Sequence, residues 1–140
     1  MSLGARELSA VVELGYWLIR TGSLSEAQQL WEGLAAEVGH LEAPWRALAY
    51  VSLRQGRVEE CVSHATIANQ RKPGAPAPLV LRAEALMRAG RFQEAARDLA
   101  AALRLPPRSP LDLSVHERAR ALQRRVGAGA MVESAAHVDG

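Results

Sequence analysis

Between residues 8 and 126 the apolar positions recur at intervals of three and four, in runs that stop at regular places. Val11, Leu14 and Leu18 form the first run, and Leu24, Ala27, Trp31 and Leu34 the second. Such spacing paints one apolar stripe along an α-helix. Trp45, Leu48, Ala49 and Ser52 then face Val58, Cys61, Ala65 and Ala68. Leu79, Ala83 and Leu86 face Phe92, Ala95, Leu99 and Ala102. A seventh stripe follows: Leu111, Val115, Ala119, Leu122 and Val126. Its polar side carries His116, Glu117, Arg118, Arg120, Arg124 and Arg125. The pattern predicts an all-α chain of seven helices.

The runs are punctuated by one phrase: R-T-G-S-L-S-E-A at 20–27, R-Q-G-R-V-E-E-C at 54–61 and R-A-G-R-F-Q-E-A at 88–95. The spacing is 34 residues both times. A fixed period of that size marks a repeat architecture. Gly22, Gly56 and Gly90 stand where a first helix must stop and reverse, a place for a left-handed residue. Leu24, Val58 and Phe92 open the second helix, and Ala27, Cys61 and Ala95 supply the small side chain of a close crossing. Ser23 and Glu26 have the spacing of a capping box. Residues 1–7 read as a lead, 8–41, 42–75 and 76–109 as three helical hairpins, 110–126 as a helix capping the last apolar face, and 127–140 as a loose tail.

Composition narrows the function. About half of the 140 residues are apolar and the formal charge is only +2, too small to imply nucleic acid. The arginines near 118–125 lack the interleaved aromatics of a strand-binding surface, so nucleic acid is not an expected partner. Cys61 is the single cysteine, which fits a reducing compartment. Arg6, Glu7 and Glu13 spoil any resemblance of the first residues to a signal peptide, and no apolar run approaches the ~20 residues of a membrane span. A cytoplasmic protein is expected. His40, His64, His116 and His137 are scattered, and no phosphate loop or G-x-S-x-G occurs. No catalytic residue, metal or cofactor is expected, and Cys61 reads as structural because Ala holds its place in the other two units.

The three units resemble tetratricopeptide (TPR) repeats. Trp45, Leu48, Ala49, Gly56, Val58, Cys61, Ala68 and Pro73 stand at that family's consensus positions. So do Leu14, Gly15, Gly22, Leu24, Ala27 and Trp31 before them, and Ala83, Gly90, Phe92, Ala95, Ala102 and Pro107 after. Gly39 replaces a final Pro, and Arg82 a usual Leu. The opening G-Y-W-L-I-R-T-G-x-L-x-x-A-x-x-L is similar to the first repeat of the small TPR chaperones of bacterial type III secretion. This resemblance implies a TPR superhelix whose first helices line a concave face. It also implies a non-catalytic protein that holds an apolar segment of a small secreted or assembly subunit. A scaffold or adaptor of a larger complex is the alternative.

In the repeat register the concave face is expected to carry Val12, Tyr16, Ile19 and Arg20, then Arg46, Tyr50, Leu53 and Arg54, then Val80, Glu84, Met87 and Arg88. Ile19, Leu53 and Met87 would form an apolar row. Arg20, Arg54 and Arg88 have two readings, complement to a helix dipole or a ladder for acidic groups. The positions of a carboxylate clamp hold Val12, Tyr16, Ala47, Ala77 and Leu81, so no such clamp is expected. Trp17 falls where a preceding repeat would pack. Either residues 1–7 fold back over it, or it makes a homodimer contact.

Overall fold

Seven α-helices succeed one another in the computed structural model: α1 (Ala5–Arg20), α2 (Leu24–Val38), α3 (Glu42–Arg54), α4 (Val58–Arg71), α5 (Ala77–Arg88), α6 (Phe92–Arg104) and α7 (Pro110–Val138). It describes residues 3–138, with side chains through residue 129, and contains no strand among them.

The turns inside the hairpins are one device used three times. Gly22, Gly56 and Gly90 have φ of 81°, 77° and 76°. After α1 the Gly22 N–H donates to the Ile19 carbonyl at 3.1 Å and the Ser23 N–H to the Leu18 carbonyl at 2.9 Å. Gly56 and Arg57, and Gly90 and Arg91, repeat both bonds. This is the Schellman closure of a helix, and a Cβ at the positive-φ position would strain it. The same geometry dissolves the expected capping box. With its N–H tied back to α1 and ψ at 66°, Ser23 makes no side-chain cap bond.

Side chains meet between helices at positions fixed by the repeat. At Gly15 a Cβ would stand 2.7 Å from the Trp31 ring, so the absent side chain makes room for the indole. Ala49 with Ala65, and Ala83 with Leu99, are the equivalent pairs, and all four are buried. Three apolar clusters result. One joins α1, α2 and α3 around Trp31, Leu34 and Leu48; one joins α3, α4 and α5 around Ala49, Cys61 and Ala85; one joins α5, α6 and α7 around Leu86, Leu99 and Leu122. Each helix pair thus finishes its core with the next pair, as a stack of repeats must. Arg82, the departure from the expected Leu, forms a two-bond ion pair with Asp98 at 2.7 Å for both bonds, and also donates to Thr66 Oγ1 at 3.1 Å.

Several expectations need correction. Part of the lead is helical: α1 begins at Ala5 and continues straight into the first repeat. Residues 5–7 therefore run on in line with α1 and do not fold back over Trp17, which is 51% exposed. Leu14, expected inward, is exposed on the same face. Trp45 is only partly buried, its Nε1–H donating to the Gly39 carbonyl at 2.8 Å, and Trp31 is the fully buried tryptophan. His116, placed on the polar side of the last helix, is 6% exposed. It occupies the register position of Leu48 and Arg82, where the preceding hairpin packs.

The last helix also runs on. No phrase like those at 20–27 occurs at 122–129, so nothing reverses the chain, and α7 continues to Val138 where a loose tail was expected. Gly129 approaches Phe92 so closely that a Cβ would lie 2.8 Å from its ring, which holds this part of α7 on α6. The final two residues of that expected tail lie outside the described residues, as do the first two of the lead.

Candidate functional site

The first helices of the three hairpins, together with α7, enclose one cavity of about 350 Å³. Tyr16, Ile19 and Arg20 come from α1, and Arg46, Ala47 and Tyr50 from α3. Ala77, Val80, Leu81 and Glu84 come from α5, and Leu111, Val115 and Arg118 from α7. The second helices, α2, α4 and α6, contribute nothing to it. This division follows from the hairpins: each second helix packs behind its first, so the first helices stand side by side along one face.

Of the expected groove residues, Tyr16, Ile19, Arg20, Arg46, Tyr50, Val80 and Glu84 line this cavity. Met87 and Arg88 line a second one of about 370 Å³, which shares Glu84 and Arg118 with the first. Val12 packs against the cluster between α1 and α3 instead. Leu53 is a correction. It is 4% exposed in the core with Cys61 and Ala85, because the middle hairpin has neighbours on both sides and α5 covers this position. The apolar row of Ile19, Leu53 and Met87 is therefore interrupted at its centre.

The α7 residues were missed by the sequence reading, although the signal was present. Tyr16, Tyr50, Glu84 and Arg118 are successive members of one 34-residue series. α7 is thus the first helix of a fourth unit whose second helix never forms, and it supplies a wall as well as a cap. Arg118 Nε donates to Glu84 Oε1 at 2.8 Å and ties that wall to α5. The carboxylate raises the Arg118 guanidinium further above its ordinary range.

The three helix-end arginines have different surroundings. Arg88 donates to the Leu53 carbonyl at the end of α3. Arg54 lies over the Tyr50 ring at 5.8 Å and donates to its hydroxyl at 3.3 Å. Arg20 faces the cavity. Arg46 is paired with Glu42 at 2.7 Å. Tyr16 meets Trp31 edge to face, with ring centres 5.0 Å apart, so a fixed indole sets the attitude of the phenol at the cavity wall.

The chemistry of the wall is apolar with a charged rim. Burial, with a smaller contribution from Glu84, pushes the Cys61 thiol up to about 12, and its S–H points to the Leu81 carbonyl at 3.7 Å. It is a protonated packing group at neutral pH, not a nucleophile. Among the described residues no group of three His, Cys, Asp or Glu could hold a metal ion, and no helix is long and apolar enough to cross a membrane.

No protein-family model matches the chain, and no curated protein sequence is similar to it. Solved structures are similar. PcrH of Pseudomonas aeruginosa, in complex with the chaperone binding region of PopD, superposes with a TM-score of 0.82 at 19% identity, covering 90% of this chain and 95% of that one. The type III secretion translocator chaperone SycD of Yersinia enterocolitica gives 0.83 at 15% identity, covering 93% and 90%. The first TPR of Spaghetti (RPAP3), bound to an HSP90 peptide, gives 0.79 at 14% identity, covering 94% and 98%. At such identities the likeness concerns architecture, and over nearly its whole length this chain has the superhelical TPR fold of those proteins.

Proposed function

We propose that this protein is a non-catalytic TPR chaperone, similar in role to those of type III secretion, that holds an apolar extended or helical segment of a small partner protein in its groove. The observation that carries this reading is the cavity between α1, α3, α5 and α7, walled by Ile19, Ala47, Val80, Leu81 and Leu111 among others. Its volume, about 350 Å³, lies within the roughly 300–1,000 Å³ of specific binding pockets and accommodates a few apolar side chains. The similar PcrH and SycD structures hold a segment of PopD and a peptide of the translocator YopD. Such a chaperone works in the cytoplasm, before its partner is exported or assembled.

A second reading, a scaffold or a self-associating subunit, is favoured by the outer face of α1. There Leu14 and Trp17 stand open to solvent. A homodimer contact through Trp17 is the form this would take.

The test uses two leucines at the start of α7. Leu111 is 51% exposed and lines the cavity, whereas Leu113 is 57% exposed and does not. The wild type, Leu111→Glu and Leu113→Glu are each tagged in the native cell and their partners weighed by mass spectrometry. One small stoichiometric partner, kept by Leu113→Glu and weakened at least about tenfold by Leu111→Glu, is the expected result. A large assembly bound equally by all three would remove the groove from the function and leave the scaffold.

A further inference from the structure

The charges around the groove are not balanced, and the imbalance is local. Four charged side chains line the cavity: Arg20, Arg46, Glu84 and Arg118. Arg46 is neutralised by Glu42 at 2.7 Å, and Arg118 and Glu84 neutralise each other at 2.8 Å. Arg20 has no carboxylate and no hydrogen-bond acceptor among the described residues. One repeat further on, Arg54, which lines neither cavity, also has no carboxylate; it lies over the Tyr50 ring and donates to its hydroxyl. Tyr50 itself lines the cavity. Within this cavity the unpaired cation therefore lies at the α1–α3 end, whereas Glu84 and Arg118 cancel at the α5–α7 end; Arg88 and Arg125 line the adjoining cavity.

Helix-end electrostatics explains why an arginine suits the last turn of α1, but it leaves the guanidinium N–H groups without acceptors. The third member of the series shows the alternative: Arg88 directs an N–H to the Leu53 carbonyl and is absorbed by the fold. Arg20 is not absorbed in this way. It is an exposed residue that lines the cavity beside Tyr16 and Ile19, where water is displaced when an apolar segment enters, and a charge-assisted bond formed there is stronger than on an open surface.

Building on the groove reading above, we propose that the segment held there carries a carboxylate side chain beside its apolar residues, at the end that lies over α1 and α3, and that Arg20 receives it with Arg54 as a second cation. The apolar residues lie towards Val80, Leu111 and Val115, and the acid fixes which way along the groove the segment runs. Arg20 is then a specificity residue: it selects acidic-flanked apolar segments over neutral or basic ones of equal hydrophobicity.

The experiment selects binders from a displayed library of random twelve-residue peptides on the full chain. Those whose binding Leu111→Glu abolishes are retained, and one is synthesised with and without its acidic residue. Groove binders are expected to combine apolar residues with Asp or Glu at one end. Replacing that Glu by Gln should weaken binding to wild type about tenfold in low salt, with a smaller effect in high salt. The same replacement should have no effect on Arg20→Gln, and Arg20→Glu should prefer a Lys-bearing peptide. Arg104→Gln, an exposed change at the end of α6, serves as the control and should behave as wild type. Groove binders without acidic residues, or an equal Glu-to-Gln effect on wild type and Arg20→Gln, would overturn the proposal and leave the groove reading standing. A library yielding no peptide sensitive to Leu111→Glu would overturn both.

Discussion

The first and third hairpins occupy the same register and solve the same packing problem with opposite chemistry. In the first, Leu14 and Leu30 stand where the third has Arg82 and Asp98, and Gly15 beneath Trp31 stands where the third has Ala83 beneath Leu99. The first unit relies on one large ring fitted over a missing side chain; the third relies on smaller apolar residues and a partly buried two-bond ion pair. The surroundings also differ. Trp17 is half exposed, while its equivalents Val51, Ala85 and Ala119 are all fully buried. The difference lies in position along the stack: each later unit is covered by the hairpin before it, and among the described residues none covers α1. Burial in a solenoid is thus set by neighbours as much as by residue type.

The two tryptophans of the first unit offer the sharpest way to break the comparison. Trp31→Ala removes a fully buried indole over Gly15, where no side chain can move in, and should cost ~3–5 kcal/mol. That is a large part of the stability of a small domain. Trp17→Ala, on the uncovered face, should stay within about 0.5 kcal/mol in the monomer. Urea denaturation of both variants at low protein concentration measures the contrast. Equal losses would mean that Trp17 is covered in solution, by a second copy or by another part of the chain.

The hairpins were legible because their signals are local: a glycine, an apolar residue two places on and a small one after that, repeated at a fixed interval. Groove membership was legible only where burial depends on the helix itself. Leu53 has the same local context as Ile19, yet α5 lies over it, and nothing within α3 announces that. Arg82 was visible as a departure from the repeat, but its partner Asp98 lies one helix later, and pairing across helices leaves no mark in a periodic pattern. Arg118 could have been found by adding the repeat length to Glu84. It was hidden because the seventh helix lacks the turn phrase and so was not counted as a repeat.

Making the third hairpin resemble the first tests what the ion pair contributes. Arg82→Leu alone leaves the Asp98 carboxylate, 8% exposed, without its guanidinium and should cost ~2–3 kcal/mol. Asp98→Leu alone strands the arginine, which retains some solvent and Thr66, and should cost less. The double variant puts leucine at both positions, as Leu14 and Leu30 stand in the first unit, removes both charges together, and should return to within about 1 kcal/mol of wild type or exceed it. A double-mutant cycle in urea reads the coupling. If the double variant were as unstable as the sum of the singles, the coupling would be zero, Arg82 and Asp98 would act independently, and the two units would not be interchangeable at this position.

The middle hairpin holds an intermediate at the same position, and it carries the smallest effect. His64 stands between Leu30 and Asp98 in the register, with Nδ1 3.3 Å from Ser52 Oγ and its ring tilted against Trp45 at 6.1 Å. Burial pushes the His64 imidazole below its ordinary value, and Glu60 and Glu32 pull it partway back. A histidine whose folded value is depressed binds its proton more readily in the unfolded chain. Stability is therefore complete above the unfolded value near ~6.5 and is lost as pH falls through the lower folded value. In thermal denaturation between pH 8 and pH 5, the wild type should lose stability relative to His64→Leu as the solution becomes acidic, while the carboxylates common to both cancel in the difference. The opposite slope, with wild type gaining on His64→Leu towards acid, would mean that Glu60 and Glu32 outweigh burial. The position would then grade from apolar through cationic to ion-paired along the stack, instead of from apolar through neutral polar to ion-paired.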